Sequence, residues 1–201
     1  MSRSRLLGLY LRSRRTVPAL VALLGVAAAT WAILDLVDNR MLTKLILIIV
    51  PLAPAAIVGA ALSSPFGETE RTASQPFPTL RLAQLALLLV IAGGGAAIAN
   101  LPALGEDFRW LLVRNGAGYV GLALIGARLG GATRAWILPF LYGLFVVAAP
   151  GNSLSRTSRW LWPLQPPAEQ AALSSALLVL LIGLLIGIIA GPRAVADESS
   201  Q

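Results

Sequence analysis

Six long apolar stretches follow one another along the chain, each parted from the next by a short polar or proline- and glycine-rich interruption. They cover about residues 17–36, 45–62, 82–99, 110–129, 135–149 and 168–191. A helix of about 20 residues crosses the ~30 Å hydrocarbon core of a bilayer. The pattern therefore predicts an all-α, polytopic bundle of about six transmembrane helices, with almost nothing folded outside the membrane. Residues 1–16 precede the bundle, residues 17–191 form it, and residues 192–201 make a polar tail.

Punctuation within the stretches refines this reading. Pro18 falls in the first turn of span 1, where a missing N–H costs nothing, and Asp35 and Asp38 mark its exit. Pro51 and Pro54, one turn apart, predict a kink in span 2, its freed carbonyls served by neighbours or water. Gly93, Gly94 and Gly95 lie in span 3 and Pro139 in span 5, and span 6 is the longest and cleanest. Residues 2–15, SRSRLLGLYLRSRR, are too short and charged to span; they read as a cytoplasmic interfacial helix, with a frayed basic tail as the alternative. Arg14 and Arg15 before an apolar run imitate an export signal, but more apolar spans follow instead of a soluble domain. Residues 150–167 form a loop whose Trp160 and Trp162, beside Arg159, suit the headgroup layer.

Composition strengthens the membrane reading. The chain is 57% hydrophobic and 12% charged, with a mean hydropathy of +0.77, where a soluble domain carries roughly a quarter of its residues as charges. The net charge of +7 does not point to nucleic acid, because no continuous basic face with aromatic platforms occurs. Its placement sets orientation instead. Arg3, Arg5, Arg12, Arg14 and Arg15 precede span 1, and Arg71, Arg81, Arg128, Arg134 and Arg193 fall on the same side. Arg40, Lys44, Arg109, Arg156 and Arg159 fall on the other. The excess predicts both termini in the cytoplasm, in a cell membrane of bacterial inner-membrane type.

Candidate chemistry is sparse. Histidine and cysteine are absent, which removes Ser-His proteolysis, thiolate metal sites and the commonest zinc ligand. No cofactor and no catalysis are expected. Asp35 is the one carboxylate near membrane depth, and Arg114 lies about one turn inside span 4. They form a candidate outer-face polar pair, with Glu106 as another partner for Arg114; the bland alternative is interfacial residues in water, with Arg114 snorkelling outward. Gly183, Gly187 and Gly191 in span 6, and Gly126 and Gly130 in span 4, have the four-residue spacing of a helix-packing seam. That seam serves either packing within the chain or a second membrane subunit. The loop from Ser63 to Arg81 carries Glu68, Glu70 and Arg71 in GETERT and is the best candidate for an interaction site; otherwise it is a solvated connector.

The arrangement resembles the membrane subunit of type-2 ATP-binding cassette exporters. The likeness rests on SRSRLLGLYLRSRR before span 1, SPFGETERTAS between spans 2 and 3, and SRTSRWLWPLQPP between spans 5 and 6. In that family an interfacial helix, a coupling helix and short membrane-dipping helices hold these places. The elements SPFGETERTASQPFP, RWLLVRNGAGYVGLALIGARLGG, WPLQP and the closing GPR are also similar to actinobacterial permease-like membrane proteins. The resemblance implies a separate ATP-binding subunit gripping Glu68, Glu70 and Arg71, and a second permease subunit, identical or not, completing an apolar path. Such a path would fit lipids or amphipathic peptides and drugs. This chain has no Walker A pattern of its own. The rival expectations are a non-transporting scaffold that binds another membrane protein through the span 6 glycines, and a carrier or channel acting alone.

Overall fold

The computed structural model describes residues 16–36, 40–62, 77–98, 105–149 and 160–190. Among them the chain is all-helical. The helices are α1 (Thr16–Leu36), α2 (Arg40–Ile49), α3 (Leu52–Ala60), α4 (Phe77–Ile98), α5 (Gly105–Gly130), α6 (Ile137–Ala148) and α7 (Gln170–Ile189). Two short 3-10 turns, Ala132–Arg134 and Trp162–Leu164, precede α6 and α7. Three stretches are long and apolar enough to cross a membrane: Thr16–Ile33, Arg109–Gly130 and Gln170–Ile189. Three shorter apolar stretches, Leu45–Ala60, Thr79–Gly95 and Ala132–Ala148, fall where spans 2, 3 and 5 are expected.

Boundaries differ from the expected ones where charge or proline had stopped the reading. Helix α2 starts at Arg40 and α4 at Phe77, because Lys44, Arg81 and a first-turn Pro78 are all compatible with helix. The expected kink is a full break: α2 ends at Ile49 and α3 starts at Leu52, with a turn at Val50 and Pro51. Pro139 does not kink α6, since it falls in that helix's first turn. Gly131 links α5 to the next turn at φ 85° and ψ 161°, a region essentially reserved for glycine.

Helix α5 is the centre. It packs on α2, α3, α4, α6, α7 and both 3-10 turns, whereas α1 leans mainly on α4 and α3. Inside the bundle lie 61% of the α5 stretch, 28% of the α7 stretch and 17% of the α1 stretch. The core joins Ala55, Val58 and Leu62 around α3 to Leu85 and Leu88 of α4 and to Tyr119, Ala123, Leu124 and Ala127 of α5. Outward faces are apolar as well: Leu177, Leu181, Leu185 and Ile189 on α7, Phe140, Leu144 and Phe145 on α6, and Val17, Val21 and Leu24 on α1 are all exposed.

The closest approach is between α5 and α7. A Cβ on Gly183 would lie 2.5 Å from the Gly121 carbonyl oxygen and 2.8 Å from its Cα. A Cβ on Gly121 would lie 2.6 Å from the Leu180 nitrogen. Only two facing glycines let these backbones touch, and between apolar helices in lipid such van der Waals contact is a main source of attraction. Ala172, Ala176, Gly183 and Gly187, all buried, make one small-residue face of α7.

Candidate functional site

Backbone breaks inside the bundle leave carbonyls without helical partners, and the buried polar side chains serve them. Pro51 has no N–H to donate to the Leu47 carbonyl four residues earlier. Asn115, fully buried on α5, donates its Nδ2 to that carbonyl at 3.2 Å. At the end of α3, the Ala61 carbonyl accepts from the buried Gln84 Nε2 at 2.9 Å. Thr30 Oγ1 donates to its own helix at Val26, at 2.7 Å.

Arg114 does the most. Its Nη1 donates to the Pro166 carbonyl at 2.8 Å, and its Nη2 to the carbonyls of Trp162 and Gln165 at 2.5 and 2.8 Å. Glu169, just before α7, lies within electrostatic reach. The guanidinium thus clamps the WPLQPP segment, whose prolines lack donors of their own, against α5. It points into the bundle and not outward to the headgroups. The side chain of Asp35, its expected partner, lies outside the described residues, as does that of Glu106.

The clamp seats Trp162 in the interior. Trp162 is 1% exposed while Trp160 is 66% exposed, so the expectation of a headgroup-layer pair fails at Trp162. The Trp162 ring stacks on Tyr142 with centroids 4.5 Å apart and meets Tyr119 edge-on at 6.5 Å. Gly118 makes the room, since a Cβ there would lie 2.6 Å from the indole ring. The Tyr142 hydroxyl donates to the Trp160 carbonyl. Arg, Trp and two Tyr together lock the connection between α6 and α7.

Between α1, the α2–α3 break, α4 and α5 lies a partly open cavity of about 240 Å³. Leu23, Val26, Ala27 and Thr30 form its α1 wall, and Leu112, Val113, Gly116, Ala117 and Val120 its α5 wall. Val50, Pro51 and Pro54 of the break, Leu89, Ile91, Ala92, Gly93 and Gly95 of α4, and Leu180 of α7 close it. Among the described lining residues there is no ionisable and no aromatic side chain, and the one side-chain polar group, the Thr30 hydroxyl, is already bonded. The described lining suits an apolar guest.

Of the other residues singled out in the sequence, Gly183 and Gly187 are buried within the chain. A Cβ at Gly187 would meet Leu85, Leu124 and Leu62 at 3.6–3.9 Å, ordinary contact. Gly126 packs on the Ala135 backbone and Leu138, and Gly130 on Arg134, so neither faces α7. Gly191, Glu68, Glu70, Arg71 and the basic segment 1–15 lie outside the described residues. Among the described residues no group of His, Cys, Asp or Glu gathers as a metal site would require. The cavity went unread in the sequence, although small residues in spans 1, 3 and 4 opposite a proline pair are its signal. Comparison with protein-family models, curated proteins and solved structures finds no match to this chain.

Proposed function

We propose that the chain is a six-span integral membrane protein with both termini cytoplasmic, and that it is a permease-like subunit of an ATP-binding cassette transport complex whose ATPase is a separate chain. The observation that carries this reading is the cavity: a partly open, apolar chamber beside a proline break, with no ionisable group among its described lining residues. A carrier driven by protons or sodium needs a carboxylate or similar group at membrane depth, so a chamber of this kind suits energy supplied from outside the chain. The three shorter stretches support six spans, since about 17 helical residues cover ~25 Å and tilt, thinning and flanking residues absorb the remainder. The clamped WPLQPP segment, with Trp162, Pro163 and Gln165 buried, suits the membrane-dipping element expected between spans 5 and 6.

A scaffold that joins another membrane protein through the span 6 glycines is less well supported, because α5 already covers Gly183. The deciding experiment is a nanodisc pull-down of the tagged protein from its native membrane, with a Glu68→Ala/Glu70→Ala control. The proposal predicts an ATP-binding cassette ATPase in the wild-type complex and its loss in the double variant. Recovery of membrane proteins alone would contradict it, as would flux through liposomes that contain only this chain.

A further inference from the structure

We propose that the cavity between α1, α4 and α5 binds one unbranched hydrocarbon chain. This rests on the membrane reading above but not on any ATPase partner. The cavity of about 240 Å³ is open on part of its boundary, so it is a groove a guest can enter and not a sealed packing void. Water is a poor occupant, because a buried water needs two to four polar partners and the one lining hydroxyl already donates to Val26. An aromatic or charged guest would find no ring to stack on and no ion to pair with among the lining residues.

The shape of the walls narrows the class further. The α1 lining residues recur at positions 23, 26, 27 and 30, one face of a helix, and so extend the wall by ~10 Å along its axis. The α5 lining, at positions 112, 113, 116, 117 and 120, adds a second wall of ~12 Å. Ala92, Gly93, Gly116 and Ala117 keep side chains out of the space, while Gly95 packs closely on Ala27 at its α1–α4 edge. Two apolar walls of this length bounding one cavity suit a flexible chain. Hydrocarbon is at hand, since the outer face of α1 is itself apolar and exposed at Val21 and Leu24.

Gly116 is the lever for a test. A Cβ there meets only Pro51 Cβ, at 3.9 Å, so Gly116→Leu grows into the cavity; Ala117→Leu is a second filling variant. The purified protein in nanodiscs is irradiated with palmitate carrying a mid-chain diazirine, or with a phosphatidylglycerol carrying the same group in one acyl chain. Each diazirine loses N₂ to a carbene that inserts into a nearby C–H bond, and adducts are mapped by peptide mass spectrometry. The expected result is labelling of residues 23–30 and 112–120, reduced several-fold in a folded filling variant and by excess unlabelled palmitate. Outward Leu181 and Leu185 label equally in all samples. Cavity labelling by the phospholipid alone identifies a lipid tail, and by palmitate alone a free fatty acid; both uphold the proposal. Cavity labelling that is absent, or unchanged by filling and by competition, overturns it while labelled Leu181 and Leu185 leave the membrane reading standing. Loss of label at those leucines as well would remove the membrane reading itself.

Discussion

At the scale of single residues, the buried side chains of Thr30, Gln84, Arg114 and Asn115 donate to backbone carbonyls. Arg114 gives three hydrogen bonds to carbonyls of one segment, and charged hydrogen bonds of this kind are the strong ones. Arg114→Met strips those carbonyls of their donors and is expected to cost about 3 kcal/mol of unfolding free energy in mixed micelles. Arg114→Lys keeps the charge but not the fork and should fall between. Equal stability of all three proteins would show that the clamp contributes nothing. The glycines separate in the same assay. Gly183→Ala forces its methyl into the Gly121 backbone and should lower stability by about 1–3 kcal/mol, whereas Gly187→Ala meets side chains at ordinary distance and should change it little. The sequence marks Arg114 by its depth and Gly183 by its spacing. It does not mark their partners, since a carbonyl has no signature of its own and the facing Gly121 belongs to no GxxxG step with Gly126 or Gly130.

At the scale of elements, the α2–α3 break shows how a sequence-visible cause acquires a sequence-invisible remedy. Pro51 and Pro54 announce the break in the one-dimensional pattern, and the Leu47 carbonyl is its direct consequence. That Asn115 donates to it, 68 positions away, follows only from the packing of α2 against α5. A double-mutant cycle tests the link. Asn115→Ala should cost about 1 kcal/mol in the wild-type chain. In a Pro51→Ala background residue 51 regains its N–H, so the same change should cost much less, a positive coupling of the kind that cycles isolate. Additive losses would mean that Asn115 does not serve the proline break. Trp162 carries the converse lesson. Its place in a Trp- and Arg-bearing loop reads as a headgroup anchor, but Gly118 and the Arg114 clamp draw it inside. Both lie more than forty residues away in sequence.

At the scale of the whole molecule, the bundle is organised by what surrounds α5. It is the least hydrophobic of the three long apolar stretches, for a physical reason: a helix walled off from lipid has no need to be apolar all round, so it can carry Arg114, Asn115 and a series of glycines. The six-part apolar rhythm made the helical architecture legible, and the order of hydrophobicity among the spans was a further clue to which lies at the centre. The apolar cavity was not legible, because it is an absence of side chains contributed by several helices at once. Span number and orientation are the central claim, and the cysteine-free chain permits a direct test by single cysteines and a membrane-impermeant maleimide. Cysteines at Asn39, Asn100 and Ser155 should label in intact cells, whereas those at Ser4, Ser74 and Ser199 should label only after permeabilisation. If only the three long stretches crossed, Ser74 and Ser199 would label from outside and Ser155 would not, a pattern that would contradict the six-span account.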